Sequence, residues 1–161
     1  MQNGALQAAS EQHLLRLDPR PPYGEAANVI NGHNRRYSTC PANMWISRQG
    51  EPLPQSLTLD FGAPKTFNTV HLAFDTLCYA LHEMPINCDL RVSPMCVKDY
   101  ALEVPDGPAW RTVLSIAGNY NRFRVHRFPA VTSPQLRLTV NAVHDPQRYT
   151  ARVYEVRVYN K

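Results

Sequence analysis

The sequence has no stretch of 18 apolar residues, no C-x-x-C pair, no G-x-G-x-x-G and no G-x-S-x-G. Each absence excludes something. Without the long apolar run, no helix can cross a bilayer, and no membrane partner is expected. Without paired cysteines at metal spacing, a structural zinc site is not expected. Without the glycine fingerprint between a strand and a helix, this chain does not hold FAD through a dinucleotide fold. Without a nucleophile elbow, nothing marks a hydrolase of that class. Lysine is scarce too, since 14 of the 17 basic residues are Arg and the net charge is +4. The basic residues are scattered with no run above two, which argues for a solvated surface against a nucleic-acid partner. Residues 1–10 show no charged start followed by an apolar run, so no signal peptide is visible, and the compartment stays open.

What is present is proline, tyrosine and alternation. The 161 residues suit one domain, large enough to fold without a staple. Fourteen prolines imply many loops and strand edges. Residues 5–17 read as a helix, with Leu6, Ala9, His13 and Leu17 on one face and Leu14 beside it. The stiff run Asp18-Pro19-Arg20-Pro21-Pro22 ends it. Residues 1–22 are therefore expected to be a helix and linker from an upstream region, and residues 23–161 the domain itself.

After Tyr23 the pattern is β. Leu57, Leu59 and Phe61 alternate with polar residues, as do Val70, Leu72 and Phe74. The same holds for Tyr100, Leu102 and Val104, and for Phe123 and Val125 between Arg122, Arg124 and His126. Leu136, Leu138 and Val140 follow, then Tyr154, Val156 and Val158, with a further segment at 110–116. Seven half-polar segments separated by turns predict an antiparallel β-sandwich or barrel. Leu57, Leu59, Val70, Leu72, Leu102, Leu136, Leu138, Val156 and Val158 are its expected core. Trp110 is expected to be core, and Arg122, Arg124 and His126 to face solvent.

Residues 77–95 have no clean period and hold Cys78, Tyr79, His82 and Cys88. Loops of this length in compact domains usually carry function. Cys78 and Cys88 could bridge across the loop, and buried thiols are the other reading. A Cys78–His82 thiol–base pair is weaker than a loop cysteine beside a surface histidine. A sugar site needs aromatic faces and planar hydrogen-bond donors on loops at one end of a sandwich. Tyr79, His82, Tyr120, Asn121 and Arg122 meet that description.

Four segments in order resemble the discoidin (coagulation factor V/VIII type C) family. They are Ala27-Asn28-Val29-Ile30-Asn31-Gly32 with Trp45-Ile46-Ser47, the stretch Pro54 to Gly62, Asn68-Thr69-Val70-His71-Leu72, and the closing Ala151-Arg152-Val153-Tyr154-Glu155-Val156-Arg157-Val158-Tyr159. The resemblance implies a galactose-binding-like jelly roll and a non-catalytic accessory module. Such a module would bind carbohydrate through end loops or dock on an upstream catalytic domain. It also implies a calcium site at Asn31, Asn34 and Glu155, with Asn31 standing where the family usually has Asp. The competing reading is a plain Asn31-Gly32 turn and a Glu155–Arg pair. A narrower resemblance rests on Cys96-Val97-Lys98-Asp99-Tyr100, Trp110, Gly118-Asn119-Tyr120-Asn121-Arg122 and His126-Arg127-Phe128. These resemble the C-terminal domain of a group of bacterial FAD-dependent oxidoreductases, whose flavin chemistry would lie outside this chain. That implies the alternative function, a module contributing to such an enzyme's active site.

Overall fold

The computed structural model describes residues 24–35, 43–76 and 92–161. The expected helix at 5–17, and Tyr79, His82, Cys78 and Cys88, lie outside the described residues. A short 3-10 helix, Ala26–Ile30, precedes six strands: β1 Trp45–Ile46, β2 Gln55–Phe74, β3 Val97–Asp106, β4 Ala109–Ile116, β5 Phe123–Val143 and β6 Arg152–Tyr159. All strand pairings are antiparallel, in the order β1-β6-β2-β5-β3-β4.

The expected sandwich forms because its two longest strands bend together. The predicted segments at 57–61 and 70–74 are one strand, β2, and those at 123–125 and 136–140 are one strand, β5. They pair along their length, but the register jumps between Asp60 and Lys65, and again between Phe67 and Thr69. Extra residues bulge at each jump, which bends a ladder sharply. The local chemistry suits a corner. Gly62 adopts φ 71°, which Gly tolerates without strain, and its N–H donates to Asp60 Oδ1 at 2.8 Å. Pro64 and Pro134 have no ladder donor to lose there. Inside the bend, Phe67 is buried with edge contacts to Phe61 at 5.7 Å and Phe128 at 6.2 Å.

The fold-over makes two layers. Sheet A holds β1, β6, the second half of β2 and the first half of β5; sheet B holds the first half of β2, the second half of β5, β3 and β4. Val70, Leu72, Phe74 and Val156 of sheet A meet Leu57, Leu102, Leu136, Leu138 and Val140 of sheet B in one core. Leu59 and Val158, also expected inside, are half-buried against it. Trp110, on edge strand β4, is half-buried rather than core, with the Arg137 guanidinium 4.1 Å from its ring centre. A bulge on β6 opposite Ala73 and Phe74 shifts the expected phase. Val153 and Val156 enter the core, while Tyr154 joins a small cluster with Met44 and Ala73.

One expectation is reversed. His126 pairs with Val70 and Arg124 with Leu72, and cross-strand partners share a face, so both point inward. His126 is only 6% exposed, whereas Phe123 and Val125 are 53% and 41% exposed. Alternation supplies the period of a strand but not its phase; the neighbouring β2 ladder decides which side faces the core. His126 Nε2 lies 2.8 Å from the Tyr100 hydroxyl, joining sheet A to sheet B across the core.

Two predictions follow from this packing. Leu138→Ala removes a fully buried side chain and should destabilise by about 2–5 kcal/mol in urea unfolding. Burial, then the Arg124 charge, push the His126 pKa down to about 4, below its ordinary 6.5. The unfolded chain therefore takes up this proton first. Stability from His126 is complete above pH 6.5 and is lost as pH falls towards 4, on the order of 3 kcal/mol over that window. His126→Gln should flatten that part of the stability profile relative to wild type; parallel profiles would refute the assignment.

Candidate functional site

The bend sits at one end of the sandwich, so the loops gather at the other. There the chain turns at 47–54, 92–96, 117–122 and 144–151, beside the ends of β1, β2 and β4 and the starts of β3, β5 and β6. Asn119 ties these turns together. Its buried Nδ2 donates to the Val97 carbonyl at 2.7 Å and to the Asn121 carbonyl at 3.2 Å. Its Oδ1 accepts from the Asn121 N–H at 3.2 Å and from Arg124 at 3.4 Å. Its carbonyl accepts from His144 Nε2 at 2.7 Å. Asn119 thus links the 117–122 turn and the start of β3 through its side-chain amide, and the 144–151 loop through its backbone carbonyl.

The 144–151 loop is built on Asp145. The Asp145 N–H donates to the Pro94 carbonyl at 2.8 Å, and its Oδ1 accepts from the Gln147 N–H at 3.2 Å. Its carbonyl accepts from the Tyr149 N–H at 3.0 Å. Pro146 fits the position after Asp in such a turn. The loop and the 47–53 segment enclose a groove of about 640 Å³, whose walls include Glu51, Leu53, Asn141, Gln147, Arg148 and Tyr149. Behind it Arg152 pairs with Asp75 at 3.5 Å and lies 5.9 Å from the Tyr149 ring centre.

The expected site residues are distributed unevenly. Tyr79 and His82 lie outside the described residues. Tyr120 projects from the 117–122 turn, 63% exposed, and Asn121 is exposed beside it. Arg122 is half-buried, donates to the Asn34 carbonyl and sits over the Tyr154 ring at 5.6 Å. It fastens the turn to the chain after the 3-10 helix. None of these three lines the groove. Sequence reasoning missed the groove because Asp145-Pro146-Gln147-Arg148-Tyr149 has no periodicity. Its signal was local: an Asp-Pro turn carrying an aromatic beside an Arg.

The oxygens proposed for calcium have protein partners. Asn31 Oδ1 accepts from the His33 N–H at 2.9 Å, the Asn34 carbonyl accepts from Arg122, and Glu155 Oε1 lies 2.6 Å from the Arg157 guanidinium. Two of the three residues thus already carry guanidinium partners, the Asn34 carbonyl with Arg122 and Glu155 Oε1 with Arg157. Among the described residues no group of three or more His, Cys, Asp or Glu is placed to hold a metal. Cys96 is buried and unpaired, and burial, then the Asp75 charge, push its thiol pKa up to about 11. A thiol so raised is a poor nucleophile. No described helix is long and apolar enough to cross a membrane.

Asn119→Ala should leave the buried Val97 carbonyl without its donor. The expected cost is about 1–3 kcal/mol of stability. Amide exchange should accelerate at both 117–122 and the start of β3; faster exchange in only one of them would show that the Asn119 side chain does not couple the two.

No family model and no curated protein matches the sequence. Solved structures are similar in fold. A family 32 carbohydrate-binding module from Streptococcus pneumoniae EndoD superposes with a TM-score of 0.66 at 18% identity, covering 88% of each chain. Chitosan-binding module 2 of a Paenibacillus sp. chitosanase/glucanase, solved with chitotriose, gives 0.63 at 16% identity, covering 88% of this chain and 90% of that one. A fucosidase from Ruminococcus gnavus, solved with fucose, gives 0.57 at 17% identity, covering 84% of this chain but 22% of that one. The chain therefore has the galactose-binding-like β-sandwich fold that these modules share, the fold its sequence motifs imply.

Proposed function

We propose that this chain is a non-catalytic carbohydrate-binding module of a larger enzyme, and that the sugar lies in the groove between the 47–53 and 144–151 loops. The observation that carries the reading is the make-up of that groove. Tyr149 offers an aromatic wall, and Asn141, Gln147, Arg148 and Glu51 offer donors and acceptors around it. A sugar presents apolar C–H faces and a rim of hydroxyls, so it needs both kinds of contact. Small-molecule sites combine a few fixed polar groups with apolar walls in this way. The loops are held by Asn119 and Asp145 on a rigid sandwich, so little ordering is left for binding to supply.

Binding without chemistry suits the other side chains. The described carboxylates on or beside the loops are paired with cations, Glu51 with Arg48, Asp145 with Arg148, Asp75 with Arg152 and Glu155 with Arg157. The His144 Nε2–H is directed at a backbone carbonyl, and the Cys96 thiol stays protonated. The similar solved structures support the reading, because their names carry sugar binding on this fold, in one case as a part of a longer enzyme chain. Tyr120 and Asn121 stand on the neighbouring turn, where a longer oligosaccharide would reach them.

Titration against a panel of neutral mono- and oligosaccharides tests this. Wild type should bind at least one with a millimolar or tighter Kd. Tyr149→Ala should weaken it by roughly tenfold or more, which is about 1.4 kcal/mol of binding energy, with the melting temperature little changed. Binding that survives Tyr149→Ala intact would remove the groove from the site.

A further inference from the structure

The outer face of sheet A carries a second surface, remote in make-up from the groove. On it, β5 presents Phe123, Val125 and Arg127, β2 presents His71, and β6 presents Arg157 and Tyr159, while Thr69, Ala73 and Glu155 share the face but are buried. The rings form a diagonal across the three strands. His71 lies 5.6 Å from Phe123 and 4.8 Å from Tyr159, centre to centre. Phe123 is 53% exposed and Val125 beside it 41%, so the face carries an exposed apolar patch.

Cations flank this stripe. Arg127 and Arg157 lie on opposite sides of His71, and Lys161 reaches over the Tyr159 ring at 4.5 Å. Burial, then the charges of Lys161, Arg157 and Arg127, lower the His71 pKa, so at neutral pH it contributes an uncharged ring among three cations. Among the described strand residues of the face the acidic side chain is Glu155, which is buried against Arg157. The Lys161 carbonyl is held by Asn68 Nδ2 at 2.6 Å, which fixes the end of the stripe.

We propose that this face binds an anionic polysaccharide, with sugar rings lying along the Phe123–His71–Tyr159 diagonal and their carboxylate or sulfate groups paired with Arg127, Arg157 and Lys161. The stripe crosses three paired strands, with the His71 ring tilted 81° to Phe123 and 55° to Tyr159. A second copy of this chain would bring like charge against like charge, which disfavours a symmetric dimer here. Single-stranded nucleic acid also combines stacking with negative charge. The sugar-binding members of this fold favour the polysaccharide.

Affinity electrophoresis of the whole chain through gels containing polygalacturonate, heparin or dextran provides the test, at about 0.1 M ionic strength so that distant charges are screened. Wild type should be retarded by polygalacturonate or heparin and not by dextran; which of the two acts separates carboxylate from sulfate recognition. Phe123→Ala should weaken retardation roughly tenfold. Arg127→Ala should weaken it and flatten its salt dependence. Both side chains are exposed, so melting temperatures should not move. Tyr149→Ala should leave this binding unchanged, whatever it does to neutral sugars. Retardation lost in Tyr149→Ala but kept in Phe123→Ala would place the polyanion in the end groove and overturn the proposal while leaving the groove reading intact. No retardation of wild type, equal retardation by dextran, or tighter Phe123-dependent binding of a single-stranded oligonucleotide would overturn it as well.

Discussion

Everything in this domain depends on the β2–β5 ribbon folding over at one corner. Two strands of 20 and 21 residues would otherwise form a long flat ladder with both faces in water. The register jumps at Asp60/Lys65 and Phe67/Thr69 break that ladder in two places, and Phe67 with its two aromatic neighbours fills the inside of the bend. Once the ribbon is folded, the apolar faces of its two halves have only each other to pack against. β6 extends one half and β3 the other, and the Tyr100–His126 pair joins the layers where a purely apolar contact would leave their orientation less specific.

The corner also decides where function can reside. Closing one end of the sandwich with the ribbon leaves the other end to loops. There the backbone groups that strands no longer pair are satisfied by side chains, above all Asn119 and Asp145. A buried asparagine whose side chain and backbone together bond to three separate segments does for loops what a ladder does for strands. It holds Tyr149 and the groove wall in place without regular structure. Loops held in this way can vary in sequence while the scaffold stays the same.

The outer face of sheet A is a consequence of the same geometry. Because Val70 and Leu72 fix the inner side of β2, their partners His126 and Arg124 must turn inward, and Phe123 and Val125 are left outside. The aromatic stripe is thus the other side of a polar residue buried in the core. The His126–Tyr100 hydrogen bond offsets the burial of a polar ring, and Arg124 reaches Asn119 at the loop end.

By itself the sequence determined that the chain is antiparallel β, half-polar, with most of its core. Leu57, Val70, Leu72, Leu102, Leu136, Leu138 and Val156 are buried as their alternation predicts. Those properties are local, set by side-chain period within one strand. Phase, partner and loop position are not local. Segments read as four separate strands are two bent ones, because a bulge looks in sequence like a turn. Trp110 sits half-buried at an edge because strand order, not its hydrophobicity, places β4 there. Asn119 reads only as half of a Gly-Asn turn until the Val97 carbonyl and His144 arrive beside it, each more than 20 residues away. The groove at Tyr149 and the stripe at Phe123 are assembled from elements far apart in the chain, and only the tertiary fold brings such elements together.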